Sequence, residues 1–71
     1  MGPFEATTGT VATFDVHGGY GTVRDADGSV WTFHCTAIAD QTRDIEVGAD
    51  VQFEVVPGRL GHWEATNLRP G

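Results

Sequence analysis

The stretch Tyr20-Gly21-Thr22-Val23-Arg24-Asp25-Ala26-Asp27-Gly28-Ser29-Val30-Trp31-Thr32-Phe33-His34 decides the fold. Two strand-forming runs, Tyr20 to Arg24 and Ser29 to His34, flank a short polar turn. Glycine after aspartate at Asp27-Gly28 supplies the positive φ that a hairpin turn requires. Neighbours along a strand point to opposite faces. Tyr20 and Thr22 therefore share one face of the first run, and Gly21 and Val23 the other. On the second run Val30, Thr32 and His34 fall together, opposite Trp31 and Phe33.

Working outward, the same grammar repeats. Thr8 to Val16 is strand-like and stops at His17-Gly18-Gly19. Thr36 to Ala39 can form one helical turn, and a polar stretch from Asp40 to Glu46 is the longest loop. Gly48 precedes a fourth run, Asp50 to Val56, with Val51, Phe53 and Val55 on one face and Gln52 and Glu54 on the other. Pro57 to Gly61 turns the chain into a fifth run, His62 to Leu68. No segment has helical periodicity, and short strands at close intervals point to a small sandwich or barrel. The fold class is all-β: five strands in one closed antiparallel barrel, closure being the route by which a small sheet removes its exposed edges. The expected core is Val11, Val23, Trp31, Phe33, Ile38, Ile45, Val51, Phe53, Val55 and Leu68.

At 71 residues the chain is a single domain, residues 1–71, with the barrel over about 8–68. It contains no long apolar run and no basic stretch followed by an apolar core, so neither a membrane span nor a signal peptide is expected. One cysteine, Cys35, precludes an internal disulfide and fits a reducing cytoplasm. The net charge is −6 and there is no lysine; the cations are Arg24, Arg43, Arg59 and Arg69. Nucleic-acid binders usually advertise a basic field, and this chain does not.

Enzyme chemistry finds little support. His34 and Cys35 are adjacent and point to opposite sides of a strand, and neither a Cys-x-x-Cys nor a comparable metal-ligand spacing occurs. No base is spaced to activate Cys35. Gly18-Gly19-Tyr20-Gly21 has no Gly-Lys-Ser/Thr element to make it a phosphate loop. No catalytic residue, metal or cofactor is assigned.

Four segments, taken in order, resemble the bacterial cold-shock proteins. They are Thr10-Val11-Ala12-Thr13-Phe14-Asp15, Gly19-Tyr20-Gly21-Thr22-Val23, Phe33-His34-Cys35-Thr36-Ala37-Ile38, and Val47-Gly48 through Val55. The resemblance implies a barrel of the oligonucleotide-binding type that stacks single-stranded bases on aromatic side chains. It places the stacking platform on Thr13, Tyr20, Thr22, Thr32, His34, Cys35 and Thr42. Most of these are aromatic in the family; here only Tyr20 and His34 keep a ring, with Phe14 beside them. The family's lysines are replaced at Ala12 and Gly18, Asp15 stands where Asn is usual, and Glu64 where Gln is usual. Trp63 lies where the family has a Gly-Pro pair bordering the binding face.

The candidate nucleic-acid-binding residues are thus Phe14, Tyr20, His34 and Trp63 for stacking, with Arg24, Arg43 and Arg59 for phosphate. The implied partner is single-stranded RNA or DNA, bound weakly, in a role such as RNA chaperoning or regulation of expression. The alternative is a protein-interaction module, meeting another protein or a second copy of itself, with the barrel kept and nucleic-acid binding lost.

Overall fold

The computed structural model describes residues 7–39, 45–58 and 62–71. Of the expected features, residues 40–44 of the long loop, with Thr42 and Arg43, and residues 59–61 of the last turn, with Arg59, lie outside the described residues. Five strands form: β1 (Thr7–Asp15), β2 (Tyr20–Asp25), β3 (Val30–His34), β4 (Asp50–Pro57) and β5 (Trp63–Pro70). One 3₁₀ turn, Cys35–Ala37, follows β3. The strands close in the order β1-β2-β3-β5-β4.

The β2–β3 hairpin is built as the sequence implies. Asp25 N–H donates to the Ser29 carbonyl at 2.9 Å and Gly28 N–H to the Asp25 carbonyl at 3.0 Å. Gly28 has φ +86°, the left-handed conformation that glycine adopts without steric cost. The Asp25 carboxylate ties the turn together: Oδ1 accepts from the backbone N–H of Asp27 and Ser29, and Oδ2 accepts from the Trp31 indole at 3.2 Å.

Val11, Val23, Phe33, Ile38, Val51, Phe53, Ala65 and Leu68 are the buried core. Burying each of the larger ones contributes roughly 1.5–3 kcal/mol. Ile45 and Val55 pack against this core while only partly buried. Trp31, expected inside, has core parity but is also only half-buried. Its indole N–H needs a polar partner, and Asp25 at the rim of the hairpin supplies one.

Two features depart from uniform antiparallel pairing. The closing contact, Thr32 of β3 with Glu64 of β5, is parallel, so the barrel is mixed rather than wholly antiparallel. The remaining pairs are antiparallel. Two bulges also interrupt the registers. On β1 the pairing steps from Val11↔Val23 to Thr13↔Thr22, leaving Ala12 as an extra residue. On β5 it steps from Gln52↔Arg69 to Glu54↔Thr66, so Asn67 and Leu68 together oppose Phe53. An extra residue resets which side chains face inward and bends the strand. Simple alternation from Val11 would turn Phe14 outward; the bulge turns it inward instead. Asn67 has φ +54°, a conformation asparagine tolerates better than most residues.

Candidate nucleic-acid interface

The outer face of β1, β2 and β3 carries two side-chain rows. In one, Asp15 pairs with Tyr20 and Tyr20 with His34. In the next, Thr13 pairs with Thr22, Thr22 with Thr32, and Thr32 with Glu64 on β5.

The ring row is specific in its geometry. Tyr20 and His34 meet edge to face, centroids 5.0 Å apart and planes at 78°, an arrangement favoured by the aromatic quadrupole. Tyr20 is 57% exposed, a large share for a ring of its size. The His34 ring also caps the 3₁₀ turn, where Thr36 N–H donates to Nδ1 at 3.2 Å. The Thr36 hydroxyl lies 2.8 Å from the same nitrogen. An Nδ1 that accepts from a backbone N–H leaves the proton of the neutral imidazole on Nε2. One side of His34 thus serves the local backbone, and the other keeps a donor. Cys35, next along, is half-buried and packs against the core.

On the neighbouring row the Thr13 and Thr22 hydroxyls are 2.8 Å apart and bond to one another. Threonine suits a strand through its branched Cβ but presents a hydroxyl where a ring would present a π-face.

Tyr20, His34, Pro57, Gly58 and Glu64 line a concavity of about 570 Å³. Its charge is acidic. Glu64 forms part of the wall, packed against the open side of Gly58. Asp15 flanks Tyr20, its Oδ1 accepting from His17 N–H at 3.0 Å and Gly18 N–H at 3.1 Å, which closes the β1–β2 turn.

The remaining candidates are scattered. Arg24 shares the outward parity of Tyr20 but lies four residues further along β2, about 13 Å away. Phe14 is half-buried on the inner side, its ring stacked on Phe33 at 5.8 Å with planes 2° apart. Trp63 is 55% exposed, but it has the parity of Ala65 and not of Glu64, and it does not line the concavity. Arg69 is held in an ion pair with Glu54 at 2.7 Å. The structure therefore joins Tyr20 with His34 and places Phe14, Trp63 and Arg24 elsewhere. Sequence reasoning noted Glu64 only as a departure; its outward alternation with Ala65 on β5 was the available signal that it borders the rings.

A closed five-stranded barrel carrying an exposed tyrosine ring on β2 beside a half-buried histidine ring on β3 is of the oligonucleotide-binding type. Residues 7–70 match the family described as "'Cold-shock' DNA-binding domain". The chain belongs to that family, a class of nucleic-acid-binding domains. A search of curated proteins found no match. Among the described residues no helix is long and apolar enough to cross a membrane.

Proposed function

We propose that this domain binds single-stranded RNA or DNA with low affinity, as a non-catalytic cytoplasmic module acting in RNA chaperoning or regulation of expression. The observation that carries this reading is the Tyr20–His34 ring pair bordering an open concavity on the face of the barrel. Tyr20 offers a stacking surface and His34 a ring edge with a donor at Nε2. Arg24, Arg43 and Arg59 would contact phosphate.

Low affinity follows from what the face lacks. Each stacked base contributes about 1–3 kcal/mol. Non-aromatic residues at Thr13, Thr22, Thr32, Cys35 and Thr42 forgo on the order of 5 kcal/mol at the lower figure, or several decades of affinity. Counterion release offsets little of this, because it scales with the number of phosphates neutralised and the chain has only four arginines. Phe14 supports the face from beneath, through Phe33, and Trp63, exposed at the start of β5, would offer a further ring outside the concavity.

The test is an anisotropy titration of a labelled short pyrimidine oligonucleotide at low salt. Saturable binding in the micromolar to millimolar range is expected, and no binding up to near-millimolar concentration would refute the proposal. Tyr20→Ala should then weaken binding by about 1–3 kcal/mol; unchanged affinity would place the site on another face. The second reading, a protein or homodimer interface, is favoured by the hydroxyl row and the acidic balance. A partner captured from host lysate that survives nuclease treatment would support it over the first.

A further inference from the structure

The two outward rows differ in the kind of recognition they permit. Stacking on a ring is tolerant of sequence, because every base has a π-face. Hydrogen bonds to base edges discriminate among bases. On this barrel the ring row has shrunk to Tyr20 and His34, and the row beside it ends in a carboxylate, Thr13–Thr22–Thr32–Glu64. Strands lie about 4.8 Å apart, so that polar row runs about 14 Å across the sheet, one pleat from the rings.

Glu64 is built into the wall of the same concavity as Tyr20 and His34. A Cβ at position 58 would collide with the Glu64 carboxylate, so Gly58 leaves room for it. A base stacked on Tyr20 would direct one edge at this wall. An ionised carboxylate only accepts hydrogen bonds. Cytosine presents a 4-amino donor, whereas uracil and thymine present a 4-carbonyl oxygen at the same place. Carbonyl against carboxylate leaves two acceptors facing with no proton between them.

Resting on the reading that this face binds single strands, we propose that Glu64 makes the concavity selective for amino-bearing bases, cytosine over uracil or thymine. The rings hold the base, and the carboxylate reads it.

The test compares labelled dC and dU hexanucleotides, which share a backbone, on the full chain at neutral pH and low salt. The dC oligomer should bind about tenfold more tightly, the discrimination expected of one good edge contact. Glu64→Gln, whose amide both donates and accepts, should bring the dC/dU ratio towards one, mainly by tighter binding of dU. The ratio is the readout, because removing a negative charge strengthens binding of both oligomers alike. A thermal melt of the variant confirms that it is folded. Equal or tighter binding of dU by the unaltered chain, or an unchanged ratio in Glu64→Gln, would overturn the selectivity while leaving single-strand binding in place. Failure of both oligomers to bind would overturn the binding reading, and the selectivity with it.

Discussion

Gly21 lies on β2 between Tyr20 and Thr22 of the candidate face and packs against Phe33 of the core, and replacing it with alanine tests how the two are joined. A Cβ built there would lie 2.5 Å from the Thr13 carbonyl oxygen and 2.6 Å from Phe33 Cζ. Neither neighbour can yield easily. The carbonyl belongs to the β1–β2 ladder, and the Phe33 ring is fully buried and stacked on Phe14. Overpacking of this kind costs about 1–3 kcal/mol. At roughly 0.05–0.15 kcal/mol per residue, a chain of this size has only about 4–11 kcal/mol to lose. Urea unfolding followed by the fluorescence of Trp31 and Trp63 reads the loss. With a slope near 1 kcal/mol per molar, typical of the smallest proteins, the midpoint should fall by about 1–3 M. Tyr20 and Thr22 flank Gly21 on the outer face, so oligonucleotide affinity should fall as well. An unchanged midpoint would show that the sheet relaxes around the methyl group, and would refute the claim that glycine is required for Phe33 to lie beneath this face.

Two further outcomes concern the turn and the second bulge. Burial pushes the Asp25 carboxyl up, but the Trp31 indole and the backbone N–H groups of Ser29, Asp27 and Gly28 outweigh it and hold the group below its ordinary range. Glu54 is held low by Arg69 and Asn67. A depressed folded-state pKa means that the unfolded chain takes up protons first as pH falls. The stability these groups contribute is therefore present near neutrality and lost as pH drops through about 4 and below. Melting temperature against pH should fall in that window, and Asp25→Asn should flatten the fall; identical profiles would refute the role of Asp25. At the β5 bulge, Asn67 donates to Glu54 Oε1 at 3.0 Å from a left-handed backbone. Asn67→Gly should cost only a few tenths of a kcal/mol to about 1 kcal/mol, because glycine keeps the conformation and loses the bond. Asn67→Val should cost more, about 1–2 kcal/mol or above, because a β-branched residue is strained there. Equal melting temperatures for the two variants would contradict this account.

Much of the candidate face is legible in the sequence alone. The hairpin from Tyr20 to His34 contains its own turn chemistry, and alternation along it correctly places Tyr20, Thr22, Thr32 and His34 together. The same alternation places Val51 and Phe53 in the core. Phe14, Trp63 and Trp31 were harder. Phe14 depends on the bulge at Ala12, which no local signal announces. Trp63 was placed by proximity to a border in sequence, although its parity follows Ala65. Trp31 depends on the reach of its indole to Asp25. Ala65 was missed because Leu68, three residues on, also faces inward, a spacing that only the bulge at Asn67 allows.

By itself the sequence determined what short-range physics controls: an all-β chain, its strands, the Asp-Gly turn, the inward apolar set, and the scarcity of rings and cations on the outer face. Tertiary structure decided what depends on closing the sheet. Closure brings β3 and β5 together in parallel and sets Glu64 beside Thr32. It also requires bulges where the strands bend, and each bulge flips the side chains beyond it. Periodicity is a property of one strand, whereas register is a property of two, and the candidate site lies where four strands share a register.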